Sequence, residues 1–148
     1  MNRKVLLDMD PGFDDALALA LALAAPEVDV VAVTATGGNI SPQQASRNVQ
    51  ALVEFLDPPL RPRMGRASDE QILRSDARHL HGPDGLSGAN FDVAELVNQH
   101  TSLKVLSEEI RRAPHEVTIL ATGPLTNIAN LIRSDPDIAT LIGHLIIA

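Results

Sequence analysis

Cysteine is absent from the 148 residues, as are tryptophan and tyrosine. Without cysteine the chain holds no disulfide framework, no thiolate metal site and no thiol nucleophile. Three phenylalanines are its only aromatic rings apart from histidine, so there is little on which to stack single-stranded bases. Positive charge is scarce too: twelve Lys and Arg against nineteen Asp and Glu leave a net charge of −7. Arg61, Arg63 and Arg66 cluster only loosely, and the chain as a whole repels a phosphate backbone. Nucleic-acid binding is not expected. Long apolar runs are missing as well. Arg3-Lys4 followed by three apolar residues starts like a signal peptide, but Asp8 ends the run too early. Residues 16–25 are apolar for only about half the length a bilayer span requires. No membrane contact is expected, and a cytoplasmic location is the default.

What is abundant is aspartate, concentrated near the start. Asp8, Asp10, Asp14 and Asp15 fall within eight residues, Asp8-Met9-Asp10-Pro11-Gly12-Phe13-Asp14-Asp15. They follow an apolar run and precede an alanine/leucine run, which reads as strand, tight acidic turn and helix. Carboxylates packed this closely repel one another, so a fold that gathers them needs protons or a cation. A hard divalent ion with a preference for oxygen is the natural partner. A solvated loop in which Asp14 or Asp15 merely caps a helix is the simpler alternative, but capping needs one acid rather than four.

Ordinary hydrophobic and charged fractions and the length suit one globular domain. Strand-like and helix-like segments alternate. Residues 3–9 read as a buried strand and 13–25 as a helix apolar on every side, hence a buried one. Residues 28–35 form the clearest strand. Ser41-Pro42 opens a helix reaching about Leu56, with a capping hydroxyl and proline at the first position. A short strand is expected near Arg63-Met64, and residues 66–92 as one long loop. Helix 101–113, strand 116–121, helix 126–133, a short helix from Asp135-Pro136 and strand 144–148 complete the pattern. Strands separated by helices imply an α/β fold with a mainly parallel, doubly wound (Rossmann-like) sheet and helices on both faces. Ligands in such folds bind outside the carboxyl ends of the strands. Three segments should therefore share one rim: the aspartate turn, Gly37-Gly38-Asn39 and Thr122-Gly123-Pro124. Together they offer an oxygen-rich cage suited to Ca²⁺.

Two other motifs compete for the turn. An EF-hand starting at Asp8 would need glycine where Phe13 stands and glutamate where Leu19 stands, so it fails. A haloacid-dehalogenase-type phosphatase, with Asp8 as nucleophile, fits Asp8-Met9-Asp10. It does not account for the adjacent Asp14-Asp15, and the only lysine past the amino terminus is Lys104, within an expected helix.

Residues 8–16 resemble the Asp-x-Asp-Pro-Gly-x-Asp-Asp-Ala signature of the inosine/uridine-preferring nucleoside hydrolases. The likeness continues through residues 33–39 and 44–48 (Gln-Ala-Ser-Arg-Asn). It resumes at 81–86 (His-Gly-Pro-Asp-Gly-Leu) and 122–127 (Thr-Gly-Pro-Leu-Thr-Asn). The resemblance implies a Ca²⁺-dependent hydrolase that splits ribonucleosides into ribose and free base, acting in nucleoside catabolism and salvage. In its terms Asp10, Asp15 and the Thr122 main-chain carbonyl bind calcium, and Asp10 takes a proton from a calcium-bound water that attacks the anomeric carbon. It also implies that Asp14 and Asn39 hold the ribose hydroxyls, that His81 approaches the 5′ side or the base, and that Asp8 supports the turn. Such enzymes are about twice this length and often form homo-oligomers. Residues 1–148 are accordingly expected to be the amino-terminal portion of one nucleoside hydrolase domain. The missing half would carry further site residues, so a catalytically inactive fragment with residual calcium binding is the alternative.

Overall fold

The computed structural model describes residues 2–69, 76–89, 91–94 and 99–148. Five strands form one sheet in the order β3-β2-β1-β4-β5, every pair parallel: β1 (Arg3–Met9), β2 (Val28–Ala35), β3 (Arg63–Gly65), β4 (Val117–Ala121) and β5 (His144–Ile147). The first strand of the chain is thus the central one. It pairs with β2 from Arg3↔Val28 to Met9↔Ala35 and with β4 from Lys4↔Val117 to Asp8↔Ala121.

Because β1 is covered on both faces, consecutive residues Leu6 and Leu7 are both fully buried, as the continuous apolar run of a parallel strand requires. Leu7 and Met9 join Leu19 of α1 (Phe13–Ala24), Val33, and Val49 and Val53 of α2 (Pro42–Leu56) in one core. On the opposite face Leu6 and Ile119 pack with Leu106 and Ile110 of α4 (Ser102–Arg112) and Ile128 of α5 (Thr126–Ser134). Ile138, in the 3₁₀ turn Pro136–Leu141, closes that second core. Burial of each such side chain contributes roughly 1.5–3 kcal/mol before the entropy of ordering it is subtracted.

Helix starts follow their sequence signals. Ser41 Oγ accepts from Gln44 N at 3.2 Å ahead of Pro42, and Thr101 Oγ1 accepts from Lys104 N at 3.3 Å. Arg111 and Arg112 stand in the last turn of α4, where positive charge is favoured. The expected long loop 66–92 is interrupted. It contains a four-residue helix, α3 (Arg78–His81), and Arg66 pairs with Thr101 in a single parallel bridge; the expected loop residues 70–75 and 90 lie outside the described residues. A second correction concerns α1. The all-apolar pattern suggested full burial, but Phe13, Leu17 and Leu21 are 49%, 62% and 63% exposed. Only one side of the helix meets the sheet; the other is apolar and uncovered.

Candidate active site

The carboxyl ends of β1, β2 and β4 meet on one rim. Thr36 N donates to Met9 O at 2.9 Å and Thr122 N donates to Asp8 O at 3.0 Å, so the loops after β2 and β4 are both hydrogen-bonded to the end of β1. The acidic turn leaves the sheet between them.

Asp8 lies behind this rim and is fully buried. Its Oδ1 accepts from Thr34 Oγ1 at 2.6 Å and from Asn127 Nδ2 at 2.8 Å. Asn127 Nδ2 also donates to Ala35 O at 2.8 Å, which ties β1, β2 and α5 together. Asp8 Oδ2 is buried without a partner among the described residues. Burial pushes the Asp8 carboxyl up to about 6 against the lowering effect of Thr34 and Asn127.

Asp10 faces the rim. The Asn39 N–H donates to its Oδ2 at 2.6 Å, and Asn39 Nδ2 donates to the Asp10 carbonyl at 3.1 Å. Burial pushes this carboxyl up to about 6 as well; the Asn39 bond opposes the shift, while the charges of Asp15 and Asp14 reinforce it. Two glycines make room for it. A Cβ on Gly38 would fall 2.1 Å from Asp10 Oδ2, and one on Gly123 would fall 2.8 Å from Oδ1. The Gly-Gly-Asn and Thr-Gly-Pro turns therefore enclose the Asp10 side chain from two sides.

Asp15 is buried in the first turn of α1, where Gly12 N donates to its Oδ2 at 3.3 Å. It caps the helix, as the simpler reading held, and still faces the site. Burial raises its pKa, opposed first by the nearby Thr122 hydroxyl and by Gly12 N–H. That hydroxyl is close enough to act on the charge but makes no hydrogen bond of normal geometry, and Thr122 Oγ1 is buried without a partner among the described residues. Asp14 is exposed at the mouth.

His81 is carried over the turn from the other side. A Cβ on Gly12 would lie 2.7 Å from His81 Nδ1, and the imidazole sits 6.2 Å from the Phe13 ring, centroid to centroid. The loop bearing it is anchored by Asn48, whose Nδ2 donates to Asp84 O at 2.7 Å and to Pro11 O at 3.4 Å. Asp84 Oδ1 in turn accepts from Leu86 N at 3.1 Å and Gly88 N at 2.9 Å. Asp10, Asp15, Asn39, Thr122 and His81 thus converge, with Asp14 at the edge and Asp8 beneath. The supporting roles of Thr34, Asn48 and Asn127 had no signal in their spacing. Asn48 and Asn127 end the 44–48 and 122–127 motifs, and Thr34 is a hydroxyl among the apolar residues at the end of β2, but none of this names their partners.

The donor chemistry fits a hard cation: two buried carboxylates with raised pKa values, and unpartnered oxygens at Asp8 and Thr122. It does not fill a coordination sphere. Among the described residues no three acidic or imidazole side chains gather closely enough to hold an ion by themselves.

The sequence model of the "inosine-uridine preferring nucleoside hydrolase" family matches residues 5–148. The chain belongs to that family. Among curated relatives, a pyrimidine-specific ribonucleoside hydrolase, RihA, of Klebsiella pneumoniae is 38% identical over 150 aligned residues, covering 99% of this chain and 48% of the relative. Among solved structures, a plant nucleoside hydrolase superposes with a TM-score of 0.86 at 35% identity, again over 99% of this chain and 48% of its own. A purine-preferring ribonucleoside hydrolase from Gardnerella vaginalis, at 24% identity and a TM-score of 0.87, shares the fold. The chain therefore spans about half the length of the relatives it matches.

Proposed function

We propose that the chain carries the catalytic turn of a ribonucleoside hydrolase, which cleaves the N-glycosidic bond to release ribose and free base. The observation that supports this most is the placement of Asp10, held by Asn39 and enclosed by Gly38 and Gly123 beside Asp15. Asp10, Asp15 and the Thr122 main-chain carbonyl would hold Ca²⁺, which when bound supplies charge to offset the carboxylates, to orient ribose hydroxyls and to acidify water.

The residues themselves do the rest. Asp10 Oδ2 is engaged by the Asn39 N–H, so Oδ1 is the atom assigned to take a proton from the attacking water. The carboxylates of Asp10, Asp14 and Asp15 stabilise the positive charge that develops on the sugar as the bond to the base lengthens. Asp14 at the mouth and the Asn39 amide orient the ribose hydroxyls. His81 closes over the 5′ side or the base. Dimers or tetramers and a place in cytoplasmic nucleoside salvage belong to the same proposal.

Ribose release from inosine and uridine, measured with and without Ca²⁺, tests it. Calcium-dependent release lost in Asp10→Asn is the expected result. No turnover at any calcium level would sink a stand-alone enzyme and leave a calcium-binding fragment. A phosphatase built on Asp8 is disfavoured by burial, since a fully enclosed carboxylate cannot reach a phosphoester.

A further inference from the structure

Residues 44–48, Gln-Ala-Ser-Arg-Asn, take no part in the proposed chemistry, yet their first and last side chains are bonded to each other and to the site. Gln44 and Asn48 stand one turn apart on α2, and Gln44 Nε2 donates to Asn48 Oδ1 at 2.8 Å. Asn48 is buried, and its Nδ2 donates to Asp84 O at 2.7 Å and to Pro11 O at 3.4 Å. A primary amide has two hydrogens and one oxygen, and here all three are engaged. Its orientation is dictated. Turned over, the amide would set its oxygen against two carbonyl oxygens and its nitrogen against the Gln44 donor.

The two carbonyls lie in different parts of the site. Pro11 directly follows Asp10, and Asp84 is three residues beyond His81. A second asparagine repeats the arrangement at the other end of the segment. Asn39 holds Asp10 through its N–H and its side chain, and its carbonyl accepts from Ala77 N at 3.0 Å. Between these ties residues 77–88 hold themselves together. His81 N donates to Ala77 O, Ser87 N donates to His81 O at 2.9 Å, and Leu86 is buried in the same core as Val49 and Val53. Gly85, at φ +82°, lies flush against the turn, where a Cβ would fall 2.8 Å from Pro11 O. The His81 ring has no comparable tie. Its Nδ1 is buried without a partner among the described residues, so the ring is placed by its backbone and by contact with Gly12 and Phe13.

We propose that Asn48 is a positioning residue for ribonucleoside binding: through one amide, α2 fixes the height of His81 above the aspartate turn. The inference rests on the proposed function and deepens it, since it identifies what sets the gap between the two walls of the site. α2 suits the task because Val49 and Val53 lock it into the core beneath Leu7 and Met9 of β1. Two segments bonded to one buried amide cannot drift apart without leaving a carbonyl unpaired, and that is costly away from water.

Two variants test it from opposite sides. Asn48→Leu keeps the bulk of the side chain and removes the amide, whereas Gly85→Ala leaves α2 intact and pushes the segment off Pro11. In both, the nuclear Overhauser contact between the His81 and Phe13 rings should be lost. The Ser87 and Gly88 amides should exchange about tenfold faster while those of β1 and β2 keep their rates. Ribose release from inosine and uridine should show KM raised roughly tenfold and kcat changed far less, the mark of lost binding rather than lost chemistry. An unchanged ring contact in Asn48→Leu overturns the proposal. Exchange that quickens equally through the strands in both variants marks a purely structural role and overturns it as well. So does a KM that stays put once the ring contact is gone. If the unaltered chain releases no ribose, the hydrolase reading fails for this chain, and the ring contact still decides the positioning.

Discussion

At the residue scale, three aspartates carry a desolvation cost. Asp8, Asp10 and Asp15 all sit above the ordinary carboxylate range because burial disfavours their charge. A raised acid pKa means that the folded chain holds its proton while the unfolded chain has lost it. Metal-free stability is therefore highest below about pH 4 for these groups and falls as pH rises from 4 toward 6, on the order of 3 kcal/mol for Asp8 alone. Urea unfolding across that range should show the midpoint decreasing, and saturating Ca²⁺ should reverse much of the loss contributed by Asp10 and Asp15. Asp10→Ala and Asp15→Ala should each abolish calcium-induced thermal stabilisation, followed by calorimetry. A normal calcium response in both would defeat the assignment of ligands.

At the scale of elements, the site is a matter of how close three turns can come. Gly38→Ala would set a methyl 2.1 Å from Asp10 Oδ2, with Pro124 Cδ only 2.7 Å away on the other side. The variant should keep its far-ultraviolet circular dichroism but lose the calcium response, because the Asp10 side chain must leave its place. Much of this was legible beforehand. The order of strands and helices follows from alternation of β-branched runs with Ala/Leu and capped segments, and the shared rim follows from parallel pairing. What escaped was tertiary. Nothing in the Ala/Leu run of α1 distinguishes its buried side at Leu19 from its bare side at Leu17, since both are leucine. α3 escaped because four residues give no periodicity to read. Asn48 and Asn127 stand in motifs that mark them, but only their contacts reveal that one anchors the His81 loop and the other holds Asp8.

At the scale of the whole molecule, one amide links strands from distant parts of the chain. Asn127→Ala strips a hydrogen bond from Asp8 and another from the Ala35 carbonyl in a region with no access to water. Asp8 keeps its bond from Thr34 Oγ1 and the Ala35 carbonyl keeps one from Ser102 Oγ, so neither acceptor is left unpaired, and a drop of about 1–3 kcal/mol in unfolding free energy is expected by urea titration. A change below about 0.5 kcal/mol would show that water takes the place of the amide.

The central position of β1 has a bearing on how the chain is born. β1 must wait for its β4 neighbour, and Asp8 for an amide 119 residues later. At about 5–20 residues per second, that interval is roughly 6–24 s. Through it, Leu7 and Met9 already have β2, α1 and α2 to pack against, whereas the rim beside Asp8 stays open on its β4 side until β4 and Asn127 arrive.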